Sequence, residues 1–259
     1  MPQAFHSWLD YFDFCYSVKH SARFIHDKKV LSFLNTLYTT SKNRIRIVKA
    51  GALVWRAQIG SIQYEREQDG STWEDEIPFG SDRMKPLRHS AHEGRANPKG
   101  IPCLYVASNK ETAMAEVRPW IGLNLSVAAL KIQRDINLVD FSVGHDAGFP
   151  LFFDEPTPKQ RTEAVWKMVD QAFSKPVTSD EKSADYVPTQ VIAEFFKQKG
   201  LDGVVYKSSL DEVGYNLALF DLTCAEVTHC ALYPVRSVKF EFDDARNGYQ
   251  VNAKHGSED

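Results

Sequence analysis

The chain has 259 residues, 43% hydrophobic and 12% aromatic, enough for one large domain or one domain with a helical appendage. Its formal net charge of −3 gives no long-range pull toward nucleic acid or an anionic membrane, and neither is expected as a partner. Four cysteines without C-x-x-C spacing (Cys15, Cys103, Cys224, Cys230) read as ordinary thiols of a reducing cytoplasm, not as zinc ligands or disulfides.

Residues 1–16 carry Asp10 and Asp13 and lack an uninterrupted apolar core, so no signal peptide is expected there. No apolar run approaches the roughly 18 residues that a membrane span requires, and the expected location is the cytoplasm. Val30, Leu31, Leu34, Leu37 and Tyr38 fall at helical spacing within a basic stretch. Residues 1–48 therefore read as a helical N-terminal extension that packs on the main body, with partner docking as the alternative. The main body spans 49–243, and the polar residues 244–259 read as a flexible tail.

Leu53-Val54-Trp55-Arg56-Ala57 reads as a first strand. The charged stretch from Tyr64 to Arg83 is expected to be an excursion loop. Two decoys belong to this region and its sequel. Glu65-Arg66-Glu67 and Glu74-Asp75-Glu76 hold Glu-x-Glu pairs of a kind used by some ADP-ribosyltransferases, but they look like a solvated face. His89 and His92 sit three apart in a polar loop without a matching acid or cysteine, and no metal site is expected.

The run from Ile101 to Val106 is the next strand candidate. Ser108 or Asn109 then caps a helix that contains Glu116 and stops before Pro119. Strands follow at Val127–Ile132 and Asn137–Phe141, a helix from Thr157-Pro158, and another from Pro188 to Lys199 with Gly200 as its stop. Gly203–Tyr206 and Leu217–Asp221 flank a polar turn, and Val235–Phe242 is a last strand candidate. Strands and helices are mixed without regular alternation, so the expected class is α+β. G-x-G-x-x-G, G-x-x-x-x-G-K-[ST] and G-x-S-x-G are all absent, which leaves no signal for a Rossmann cradle, a P-loop or a hydrolase elbow.

Four segments stand apart: Leu53-Val54-Trp55-Arg56; Gly94-Arg95-Ala96-Asn97-Pro98-Lys99-Gly100 leading into Leu104-Tyr105-Val106-Ala107; Ala113-Met114-Ala115-Glu116-Val117; and Gly203-Val204-Val205-Tyr206-Lys207-Ser208-Ser209 with Gly214-Tyr215-Asn216-Leu217-Ala218-Leu219-Phe220. In this order, over roughly residues 50–225, they resemble the RES family, named for its Arg, Glu and Ser. The resemblance implies an ADP-ribosyltransferase-like mixed sheet with flanking helices. It also implies NAD degradation by phosphorolysis or hydrolysis, acting as a toxin with an antitoxin partner. It points to Arg56, Tyr105, Glu116 and Ser208 as catalytic and to Arg95, Asn97 and Asn216 as NAD-binding, with NAD a substrate and no cofactor. Ala96 and Lys207 depart from the family pattern, where an aromatic residue and a proline are common.

The chemistry suits these residue types. An arginine fork matches phosphate oxygens, so Arg56 or Arg95 would hold the pyrophosphate. Tyr105 would stack on the cationic nicotinamide ring. Cleaving the nicotinamide–ribose bond builds positive charge on the sugar, as in glycoside hydrolysis, and Glu116 would stabilise it. Ser208 and Asn216 would orient the ribose, the amide or the nucleophile. Nicotinamide leaves as a neutral pyridine, so no strong general acid is required. Two rival readings are transfer of ADP-ribose to a protein and a non-enzymatic nucleotide-binding module.

Overall fold

In a computed structural model, residues 4–87, 90–150, 152–175 and 183–239 are described. An eight-stranded sheet organises them. Its strands are β1 (Ile45–Val48), β2 (Leu53–Ile59), β5 (Leu104–Ala107), β6 (Asn124–Ile132), β7 (Ile136–Asp140), β8 (Gly203–Lys207), β9 (Tyr215–Leu219) and β10 (Ala225–Pro234), in the order β1-β7-β8-β9-β5-β2-β6-β10. Only β7 and β8 run parallel; the remaining pairs are antiparallel. With five α-helices around this mixed sheet, the class is α+β.

Alternation along the central strands feeds two cores. Val139, Val204, Tyr206 and Ala218 face one side, where they meet α1 (Asp10–Tyr16), α2 (Lys28–Thr40), α4 (Pro158–Ser174) and α5 (Val187–Gln198). Leu138, Val205, Leu217 and Leu219 face the other, with Leu104, Val106, Leu130, Phe79 and Met84. The helices begin where their caps allow. Asp27 Oδ1 accepts from Val30 N at 2.9 Å, and Thr157 with Gln160 forms a reciprocal capping box before Pro158. Gly200, at φ +84°, ends the α5 region in the left-handed conformation that glycine adopts without strain.

Several expectations need correction. Residues 1–48 are not purely helical: β1 lies inside them as the sheet's edge strand, registered against β7. Phe14 of α1 stacks on Phe33 of α2 at 4.5 Å within the same core as α4 and α5, so this region packs on the body. Leu31 is exposed rather than buried, one position off the stripe formed by Val30, Leu34 and Leu37.

The Tyr64–Arg83 stretch is not a loop throughout. It holds a hairpin of β3 (Ile62–Gln68) and β4 (Ser71–Ile77), exposed along all of β3. Its turn is Asp69-Gly70 with both residues at positive φ, the geometry that favours Asp-Gly in a two-residue hairpin loop. The last strand is Ala225–Pro234, not Val235–Phe242. Residues 235–239 are not in a strand, and 240–242, like the tail at 244–259 and His89, lie outside the described residues. Strand β10 is an edge with a register shift between Val227 and His229, so it shows no clean alternation. Among the described residues no helix is long and apolar enough to cross a membrane.

Candidate active site

Helix α3 (Lys110–Glu116) carries the central carboxylate. Asn109 caps it, accepting from Thr112 N at 2.7 Å, and Glu116 is its last residue. The loop between β8 and β9 folds back onto the start of this helix: the Asp211 carboxylate meets the Thr112 hydroxyl, and Gly214 sits so close that a Cβ there would be 1.6 Å from Thr112 Oγ1. With the start of α3 held, Glu116 at its other end meets the sheet. Its Oε1 accepts from Ser208 Oγ at 2.7 Å and from Asn216 Nδ2 at 2.6 Å. Ser208 and Asn216 are buried, whereas Glu116 is exposed to the cleft.

Two lobes of one cleft share Glu116, Tyr206 and Asn216. One, of about 310 Å³, is lined also by Trp55, Arg56, Tyr105 and Ala113. The other, of about 250 Å³, is lined also by Arg95, Arg118, Ser174 and Ser209. A larger cavity of about 650 Å³ lies between α1 and α2 and is lined by none of the motif residues, and we assign it no part in the chemistry.

Arg56, on β2, donates from Nη1 to the Tyr105 carbonyl at 2.8 Å. Its Nε is buried without a hydrogen-bond partner, and burial pushes its guanidinium below the usual arginine range. No carboxylate among the described residues pairs with it. An arginine in this state has lost hydration that the one bond to the Tyr105 carbonyl offsets only in part.

Arg95 is differently placed. Its guanidinium donates to the carbonyls of Ala172, at 2.8 Å, and Lys175, the C-terminal end of α4, where a cation meets unsatisfied carbonyls and the negative end of the helix dipole.

Tyr105 and Asn97 form a brace. The Tyr105 hydroxyl donates to Asn97 Oδ1 at 2.7 Å and accepts from Ala96 N at 2.9 Å; burial pushes its phenol well above the ordinary tyrosine range. Asn97 Nδ2 donates to the carbonyls of His92, Ile101 and Pro98. Gln190 on α5 adds bonds to the carbonyls of Gly94 and Asn97 at 3.0 and 3.1 Å. Gly94 is required here, because a Cβ would stand 2.5 Å from the Tyr105 hydroxyl. Asn97 thus lies behind the cleft, lining neither lobe, with its side-chain groups spent on the turn. Tyr105 lines the Arg56 lobe, and its hydroxyl is occupied.

The structure therefore brings Arg56, Tyr105, Glu116 and Asn216 to one cleft, with Arg95 and Ser209 on the wall of the second lobe. Ser208 is buried, lines neither lobe and reaches the site through its bond to Glu116, and Asn97 lies outside. Tyr206, Arg118 and Gln190 were not read from the sequence as site residues. Tyr206 stood in a recognised segment, at the end of an apolar run. Arg118, two residues past Glu116 at φ +48°, gave no periodic signal. Among the described residues no group of three or more His, Cys, Asp or Glu is placed to hold a metal, and His92 is exposed.

A mixed sheet on which a carboxylate from α3 meets a serine just after β8 and an asparagine of β9 defines the candidate site. The family model of the RES domain matches residues 74–243, and the chain belongs to that family. Arg95, Asn97, Tyr105, Glu116, Ser208 and Asn216 fall within the match, and Arg56 precedes it. Among solved structures, the chain is similar to one in the crystal structure of the M. tuberculosis MbcT–MbcA toxin–antitoxin complex. The identity is 14% and the TM-score 0.39, over 76% of this chain and 92% of that one. No curated protein compared matches the chain.

Proposed function

We propose that this protein degrades NAD by breaking its nicotinamide–ribose bond, with inorganic phosphate or water as acceptor, and that it acts as a toxin restrained by an antitoxin protein. The observation that carries this reading is Glu116, fixed by Ser208 and Asn216 where two arginine-bearing lobes meet. Both donors reach Oε1, and Oε2 has no hydrogen-bond partner among the described residues, which leaves it for a ribose hydroxyl or the developing cation. Preorganised donors and charges of this kind act on the transition state without reorganising. The unpaired Nε of Arg56 favours that residue over Arg95 for the pyrophosphate, since Arg95 is engaged with α4.

Incubation of purified protein with NAD, with and without phosphate, tests the reading. Free nicotinamide with ADP-ribose is expected for hydrolysis, and nicotinamide with phosphorylated ADP-ribose for phosphorolysis. Glu116→Gln keeps the shape and loses the charge, so turnover is expected to fall at least about a hundredfold, as for loss of one transition-state electrostatic group. An unchanged rate in a folded Glu116→Gln variant would remove Glu116 from the chemistry.

A further inference from the structure

Tyr206 is the aromatic residue shared by both lobes. It sits on β8 directly opposite Asn216 on β9, so the two side chains share the helix-facing side of the sheet. The residue is 7% exposed, and its ring packs 5.8 Å from that of Phe173 of α4. Among the described residues, its hydroxyl has no hydrogen-bond partner. Tyr105 offers the contrast, because its hydroxyl both donates and accepts within the protein.

A phenol at this position stays protonated. Burial and the negative charge of Glu116 both raise its pKa, with Arg95 opposing them. Tyr206 and Glu116 line the same two lobes, and a phenol near a carboxylate is suited to a ligand with two adjacent hydroxyls. Glu116 can only accept; Tyr206 can accept or donate. A ribose presents that vicinal pair.

We propose that Tyr206 is a catalytic residue of this site, its hydroxyl holding the reacting ribose beside Glu116. The proposal rests on the NAD-degrading reading and adds a residue to it. As positive charge builds on the sugar, its hydroxyl protons become more acidic, and hydrogen bonds to them strengthen toward the transition state. An interaction of that type lowers kcat when lost and leaves KM nearly unchanged.

The test compares the full-length wild type with Tyr206→Phe by nicotinamide release and by thermal melting. The expected result is a kcat lower by roughly tenfold to a hundredfold, the worth of one hydrogen bond to a group gaining charge, with KM within about threefold. The melting temperature should stay within about 2 °C, since the hydroxyl has no protein partner to lose. Active wild type with an unchanged kcat in Tyr206→Phe overturns the assignment and leaves the NAD reading standing. A loss of rate matched by a loss of melting temperature, or a rise in KM alone, also overturns it. Wild type that releases no nicotinamide overturns the NAD reading and this assignment together.

Discussion

Asn97→Ala separates a structural brace from a substrate contact. Asn97 is 3% exposed, and its side chain ties the carbonyls of His92, Pro98 and Ile101 and the hydroxyl of Tyr105. Two amide protons serve three carbonyls, so one bond is shared, and the weakest of the three is the 3.2 Å contact to Pro98. Removing the amide strips about three good hydrogen bonds, each worth roughly 1 kcal/mol net, and leaves the Tyr105 hydroxyl without its acceptor. His92 and Ile101 are exposed residues whose carbonyls water can reach in part, so the cost stays near about 2–4 kcal/mol. For a chain of this size that corresponds to a fall of roughly 4–16 °C in melting temperature. Differential scanning calorimetry and urea titration read it. A melting temperature within about 2 °C of wild type, with only KM for NAD increased, would refute the reasoning and restore Asn97 to the ligand.

Two further outcomes follow from the same geometry. Arg56→Met replaces a half-buried cation that no carboxylate pairs with by an apolar chain, so NAD turnover should collapse while the melting temperature holds or rises; a clear loss of stability with activity retained would show Arg56 to be a strand anchor. The Asp211 carboxyl is held below the usual aspartate range, first by the Thr112 hydroxyl and then by the Val213 amide. A carboxyl with a depressed folded pKa stabilises the protein above its unfolded value, about 4, and that contribution is lost as pH falls through the folded value. The stability gap between wild type and Thr112→Val should therefore be widest above about pH 5 and narrow toward pH 3, which thermal melts across that range will show. A gap independent of pH would place the loss in packing alone.

Much of the architecture was legible because local chemistry dictates it. Thr157-Pro158 and Asn109 announce helix starts through side-chain acceptors and a preset φ, and Gly200 announces a stop. The alternating and continuous apolar runs from Leu104, Val127, Asn137, Gly203 and Leu217 mark strands because their residues must reach two cores. The β3–β4 hairpin escaped notice because its strands are solvated and charged, and only Asp69-Gly70 signalled it. Strand β10 escaped because a bulged edge strand need not alternate.

The residue types of the site were also visible in the chain: Arg56, Tyr105, Glu116, Ser208 and Asn216 stand in separate, recognisable segments. Their division of labour was not. Whether an arginine faces a lobe or caps a helix depends on which groups arrive from distant segments to use its hydrogen bonds, and whether an asparagine meets a ligand or a turn depends on how its own loop closes on the neighbouring strand. Arg95 is claimed by the end of α4 and Asn97 by Tyr105 and three carbonyls, whereas Arg56 keeps a donor unspent. Local sequence determines what each side chain can offer, and the assembled fold decides what is left over, because the bonds that claim Arg95, Arg56 and Glu116 come from segments 77, 49 and 100 positions away.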